Sequence, residues 1–167
     1  MTFTVRPATL DDAPGIQAIY AHHVLNGFGT FEEEAPDTDE IRRRMDAVAA
    51  RGCPWLVAAD VERIGAYAYA APFRARSAYR FTVEDSVYVH PDHVRQGLGL
   101  RVMRELIETC RAAGKHEMLA VIGDSGNEAS IKLHERCGFS FRGRFDRVGL
   151  KFGRWVDIVL MQRHLSV

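Results

Sequence analysis

The chain has 167 residues, 47% of them hydrophobic, which is enough for one domain to bury a core without disulfide or metal staples. Its 22 basic and 22 acidic residues cancel, so no general attraction to nucleic acid or to acidic membranes is expected. No apolar run reaches spanning length, the start Met1-Thr-Phe-Thr-Val-Arg lacks a signal-peptide core, and the scattered Cys53, Cys110 and Cys137 make no disulfide framework, so the expectation is a single domain over 1–167 in a reducing cytoplasm.

A short strand is expected from Thr4 to Arg6, ended by Pro7. Thr9 to Pro14 open a helix with Asp11 and Asp12 near its positive end, and Ile16, Ile19, Tyr20 and Val24 give it one apolar face until Asn26-Gly27 and Gly29 break it. Thr30-Phe31-Glu32 reads from the residues alone as a connector. A second helix runs from Asp37 to Arg51 with Ile41, Met45 and Val48 inward. Its Arg42, Arg43 and Arg44 splay round the axis and read as a solvated face rather than a nucleic-acid patch. Trp55 to Ala59 and Ile64 to Ala71 pattern as a hairpin, with the small Ala66, Ala68 and Ala70 leaving room on one face. In the polar loop that follows, Arg74 and Arg76 either sit in solvent or clamp a carboxylate.

The centre of the chain is a strand from Val83 to Val89, stopped by His90-Pro91-Asp92 and followed by Arg95-Gln96-Gly97-Leu98-Gly99. From Leu98, apolar residues recur at Val102, Leu106 and Cys110 with Met103 and Ile107 beside them, which is helical spacing. The glycines either shape a tight strand-to-helix turn or bring backbone N–H groups up to a pyrophosphate at the positive helix end. Val102 stands where a dinucleotide fingerprint needs its third glycine, and no Gly-Lys-Ser/Thr completes a Walker A loop. His90-x-x-His93 has no third ligand nearby, so no metal is expected. Beyond Gly114 come a strand from Glu117 to Ile122, a turn-rich loop, a helix capped by Asn127 and running to about Glu135, and two strands, Phe139 to Val148 and Trp155 to Met161, joined through Lys151-Phe152-Gly153. That order gives a mixed α/β sheet with helices on both faces.

The strand followed by Val94-Arg95-Gln96-Gly97-Leu98-Gly99 resembles the acetyl-CoA-binding motif of the Gcn5-related N-acetyltransferases, a strand and then Gln/Arg-x-x-Gly-x-Gly/Ala. Val94 replaces the usual Gln or Arg, which removes a side-chain contact and leaves the backbone cradle. Thr82-Val83-Glu84-x-Ser86-Val87-Tyr88-Val89 and Lys151-Phe152-Gly153-x-Trp155-x-Asp157 resemble, more narrowly, the phosphinothricin and methionine-sulfoximine acetyltransferase subfamily, and the similarity covers nearly the whole chain. The resemblance implies a mixed, mostly antiparallel sheet, acetyl-CoA as co-substrate, no metal, and a homodimer. It places Val87, Tyr88, Val89, Arg95, Gln96, Gly97, Leu98 and Gly99 against CoA, with Asn127 and Ser130, although these two also suit a helix cap. It places Thr30, Phe31, Glu32, Arg74 and Arg76 around a small-molecule amine.

Acetyl transfer to an amine needs a group to take the amine proton, donors for the carbonyl oxygen, and a proton for the departing thiolate. Strand alternation puts Glu84, Ser86 and Tyr88 on one face and Asp85 with Val87 on the other, so either Glu84 or Asp85 can be the base; the subfamily pattern ranks Glu84 first. His134 stands where the wider superfamily carries a proton-donating tyrosine, and imidazole, ordinarily near 6.5, can protonate a thiolate whose thiol is roughly 8.5. Cys137, before a helix-ending glycine, reads as core rather than as an acetyl-accepting nucleophile. The implied reaction is direct acetylation of the α-amino group of a phosphinothricin, methionine sulfoximine or methionine sulfone type of substrate. The alternatives are another amine, such as a polyamine or a protein N-terminus, and a non-catalytic CoA-binding sensor.

Overall fold

Strand and helix patterns along the chain condense around one seven-stranded sheet in the order β1-β2-β3-β4-β5-β7-β6. The elements are β1 (Thr4–Pro7), α1 (Ala13–Asn26), α2 (Thr38–Ala50), β2 (Trp55–Ala59), β3 (Ile64–Pro72), β4 (Thr82–Val89), α3 (Leu98–Ala112), β5 (Glu117–Gly123), α4 (Glu128–Arg136), β6 (Ser140–Lys151) and β7 (Arg154–His164). They come from a computed structural model that describes residues 2–166; the two ends of the expected 1–167 domain, Met1 and Val167, lie outside the described residues. Every strand pair is antiparallel except β4–β5, which α3 connects. A parallel neighbour needs such a crossover, whereas antiparallel strands can follow one another through tight turns.

The core lies on both faces of the sheet. Ile16, Ile19 and Val24 of α1 are fully buried on one, and Val102, Met103, Leu106, Ile107 and Cys110 of α3 on the other. Across β3 and β4, Ala66, Ala68 and Ala70 pair with Val89, Val87 and Asp85 on the α3 face, while Tyr67, Tyr69 and Ala71 pair with Tyr88, Ser86 and Glu84 on the α1 face. The three alanines therefore make room for α3, whose packing needs a low floor.

The element borders differ from the sequence expectation mainly at the exposed end. The final strands extend to Lys151 and from Arg154 because their outer positions are solvent-facing and carry little alternation. Phe152 and Gly153, at φ 49° and 75°, close them as a two-residue turn. At the start, Leu10–Asp12 form a single 3-10 turn before α1, with Pro14 in the first helical turn.

Candidate active site

The strands β4 and β5 pair over three residues only, Thr82–Glu117, Val83–Met118 and Glu84–Leu119, and then part. His90 N–H bonds Gly65 at one end of β4, and Phe73 N–H bonds Thr82 at the other. Even-numbered residues therefore spend their backbone groups on β3, and those of Val87 and Val89 point into the gap. His23 of α1 donates from Nε2 to the Val89 carbonyl at 2.9 Å. Burial holds its pKa below the usual histidine value, which suits this neutral donor. What remains open along the splayed edge is the Val87 N–H and C=O and the Val89 N–H.

Below this gap lies the loop leading into α3. From Arg95 to Leu100 no backbone N–H finds a backbone acceptor among the described residues. Arg95 and Gly97 both sit at left-handed φ, 63° and 76°, which curls the loop under the helix start. Gly97 is required for that angle. Gly99 is required for a different reason: a Cβ there would meet Leu133 at 2.8 Å and Val89 at 3.2 Å, so it lets α3 seat against α4 and β4. The exposed Val94 contributes nothing to the loop beyond its backbone. An oriented set of free amides at a helix N-terminus, continuous with an unpaired strand edge, fits an extended anionic ligand carrying amides, as the pantetheine pyrophosphate of CoA does.

Glu84 stands on the α1 face, half-buried, with no side-chain hydrogen bond or ion pair among the described residues. Burial raises its carboxyl above the usual range, the charge of Asp85 adds to this, and Arg74 opposes it. Behind it is an aromatic floor. Trp55 stacks on Tyr69 at 4.0 Å, and Tyr88 packs edge-on to Tyr20. Arg74 and Arg76 are exposed, and neither forms an ion pair among the described residues; Arg74 lies over the Phe73 ring.

The loop 27–33 closes this face, and its residues do other work than lining. The Thr30 hydroxyl meets Tyr20 Oη at 2.8 Å. Glu32 accepts from Tyr20 Oη and from both terminal nitrogens of Arg44 at 2.8 and 2.7 Å. The Phe31 ring lies over Gly149, where a Cβ would come within 2.3 Å of it. Lys151, wholly buried, donates from Nζ to the Thr30 carbonyl at 2.8 Å. The sequence reading of Arg44 as solvated is therefore corrected: it is half-buried and clamps Glu32 and Glu40. Glu32 shapes the site from inside this cluster rather than as an open carboxylate.

Asp85 and His134 face away from Glu84, under the sheet. His134 Nε2 lies 2.9 Å from Asp85 Oδ1, and both side chains are 2% exposed. Asp85 is thus sealed against the opposite helix layer, which leaves Glu84 as the carboxylate of β4 that opens toward the α1 face. His134 lies inside the protein, beneath β4. Asn127 caps α4 by accepting from the Ser130 N–H at 3.3 Å, and its Nδ2 donates to the Gly123 carbonyl, so its side chain is engaged by the protein itself. Of the other residues that build the site, Tyr20 reads in sequence only as part of an apolar helix face, Arg44 only as a solvated arginine and Lys151 only within a motif, and His23 carries no signal at all. Among the described residues no three His, Cys, Asp or Glu side chains gather into a metal-holding group.

The family described as acetyltransferase (GNAT) matches residues 16–139. The chain is 50% identical to a phosphinothricin N-acetyltransferase of Alcaligenes faecalis over 163 residues, spanning 98% of this chain and 83% of that one. It is 43% identical to an L-methionine sulfoximine/L-methionine sulfone acetyltransferase of Pseudomonas aeruginosa, spanning 99% and 96%. An acetyltransferase structure from Salmonella typhimurium with its cofactor acetyl-CoA superposes with a TM-score of 0.95 at 38% identity, covering 99% of this chain and 95% of that chain. A phosphinothricin acetyltransferase from Sinorhizobium meliloti in complex with acetyl-CoA gives 0.94 at 41%, covering 99% and 90%.

Proposed function

The chain belongs to the acetyltransferase (GNAT) family, and from that premise we propose that it moves an acetyl group from acetyl-CoA to the α-amino group of a small amino-acid analogue of the phosphinothricin or methionine sulfoximine type. Acetyl-CoA supplies the activated thioester. The Val87 and Val89 amides run along its amide-bearing arm, the amides from Arg95 to Gly99 with the first turn of α3 hold its phosphates, and Ser130 borders the cleft. The amine's carboxylate meets Arg74 and Arg76, two exposed guanidiniums in no ion pair among the described residues. Glu84 takes the ammonium proton and His134 returns one to the sulfur, in one direct transfer. The observation that carries this reading is Glu84 itself: a half-buried carboxylate with no internal partner and a raised pKa, next to the parted strands.

A thiol-release assay with acetyl-CoA against phosphinothricin, methionine sulfoximine, methionine sulfone, polyamines and a peptide N-terminus tests it. The α-amino acid analogues should give the highest kcat/KM, and Glu84→Gln should lower kcat roughly 10²–10⁴-fold at neutral pH, with a smaller loss at high pH where the amine arrives deprotonated. Full activity of Glu84→Gln at pH 7, or a clear preference for polyamines, would refute the assignment; no acetylation of any amine would favour a CoA-binding sensor. A second copy of the chain is the expected partner. The supporting feature is the outer hairpin of β6 and β7, which leaves Phe141, Phe145, Leu150 and Trp155 more than half exposed. The three free cysteines, all buried, suit a reducing cytoplasm.

A further inference from the structure

The buried pair beneath β4 has a definite charge state. His134 Nε2 lies 2.9 Å from Asp85 Oδ1, and Nδ1 lies 2.7 Å from the Ser130 carbonyl oxygen. A carboxylate and a carbonyl oxygen only accept, so each ring nitrogen must carry a hydrogen to bond its partner. With Asp85 ionised, that ring is imidazolium. A neutral ring would set a lone pair against an acceptor inside the protein, where water cannot intervene. Among the described residues no other cation lies within ion-pair distance of Asp85, and its Oδ2 is buried without a partner. The other titratable groups near the pair come from four elements: Cys110 and Arg104 on α3, Arg136 on α4 with Cys137 just after it, Arg163 on β7, and Glu84 on the other face of β4. Burial keeps the Cys137 thiol up, with Asp85 adding to it, and burial followed by Cys53 pushes that of Cys110 to about 12, with Asp85 a smaller contributor. For His134, burial works against the charge, yet Asp85 and the Ser130 carbonyl outweigh it and its pKa is raised.

We propose that Asp85 is a positioning residue that keeps His134 protonated on both nitrogens and leaves its transferable proton on the Nδ1 side, where the Ser130 hydroxyl passes it to the departing sulfur. Nε2–H is committed to Asp85, and the ring itself has no open edge. Ser130 Oγ, on a half-buried residue, lies 3.4 Å from Nδ1. The Nδ1–H bond breaks as an O–H bond forms on Oγ; the serine's own O–H bond breaks as an S–H bond forms; the ring ends neutral with Nε2–H still on Asp85. This inference rests on the reading of His134 as the acid in acetyl transfer.

The test is ¹⁵N NMR of histidine-labelled protein across pH, with the His134 signals assigned by their loss in His134→Gln. Wild-type His134 should show two protonated nitrogens at pH 7, and Asp85→Asn should show one. Acetyl transfer should fall roughly 10–100-fold in Asp85→Asn, by analogy with the loss of a carboxylate that orients a metal-bound histidine. It should fall comparably in Ser130→Ala, which keeps the carbonyl acceptor and hence the ring's charge. Asp85→Glu, which keeps the carboxylate, should restore the second proton. A neutral wild-type ring at pH 7 overturns the proposal, and that result needs no variant to fold. An unchanged imidazolium in folded Asp85→Asn also overturns it, and Ser130→Ala at full rate overturns the relay. His134→Gln at full rate beside a wild-type imidazolium would remove the acid role instead, while supporting the charge assigned to the pair.

Discussion

Lys151 offers a sharp test of how the hairpin holds the loop over the candidate site. Its side chain is wholly buried and its ammonium donates to the Thr30 carbonyl at 2.8 Å. Lys151→Met keeps most of the stem and removes only the charged donor, so the expected loss is roughly 1.5–3 kcal/mol. Lys151→Ala also strips three buried methylenes at roughly 0.8 kcal/mol each, so it should cost about 2 kcal/mol more than Met. Burial lowers the Lys151 pKa below 10.5, against the pull of Glu33 and Glu32. Between that lowered value and 10.5 the unfolded chain binds more protons at this site than the folded one, so its contribution to stability rises with pH through that window. Urea unfolding at pH 7, followed by tryptophan fluorescence, gives the two differences. Steady-state kinetics of the Met variant should show a larger rise in KM for the amine than for acetyl-CoA, because the Thr30 that Lys151 holds bonds Tyr20 in the aromatic floor. A Met variant that unfolds at the wild-type midpoint and keeps its amine KM would refute the anchoring argument.

Three other outcomes are expected. Arg74→Ala should move the acidic limb of the pH–rate profile upward, since the guanidinium opposes the rise in Glu84's pKa, and should raise KM for amines bearing a carboxylate; an unmoved limb in a pH series would separate the two groups. Gly97→Ala should cost roughly 1–2 kcal/mol through its φ of 76° and raise the apparent constant for acetyl-CoA, whereas Gly99→Val should act through overpacking against Leu133 and Val89, at about 1–3 kcal/mol; calorimetric titration with CoA distinguishes a lost cradle from a merely weaker fold. Asp12→Ala should cost about 0.5–2 kcal/mol, since Asp12 accepts from the Thr9 N–H and from Arg6. Because Arg6 holds the Asp12 carboxyl below its usual range, the wild type's advantage should be complete above about pH 4 and vanish as pH falls through the lowered value, which acid titration of both proteins would reveal.

Much of this architecture was legible from local pattern. The run Val83 to Val89, the proline stop and the helical spacing from Leu98 fixed the central strand, loop and helix, and strand alternation placed Glu84 and Asp85 on opposite faces as observed. The illegible part is pairing between distant residues. Three adjacent arginines look alike on a helix, and only the return of the loop after α1 selects Arg44 for Glu32. Likewise, nothing within five residues of His134 announces a carboxylate 49 positions earlier in the chain. A lysine between exposed strand positions reads as solvated until the loop that covers it is known. Charges buried through long-range contacts leave no periodic trace in sequence, because each partner alone looks like a surface residue.

The parting of β4 from β5 has a mechanical side. The sheet consists of a four-stranded antiparallel half, β1 to β4, and a three-stranded antiparallel half in the order β5-β7-β6, stitched directly by a seam three residues long. The remaining strand contact across that seam has been given up in favour of an opening, so cohesion between the halves falls on α3 and on the loop clasped by Lys151. A ligand lying in the opening and bonding the vacant Val87 and Val89 groups would supply missing rungs to the ladder. It would act as an eighth strand as much as a reactant, and at a hundredfold excess over its Kd it would add roughly 2.7 kcal/mol to the stability of the whole. A co-substrate held in that breach would thus make the integrity of the fold responsive to how much of it is present.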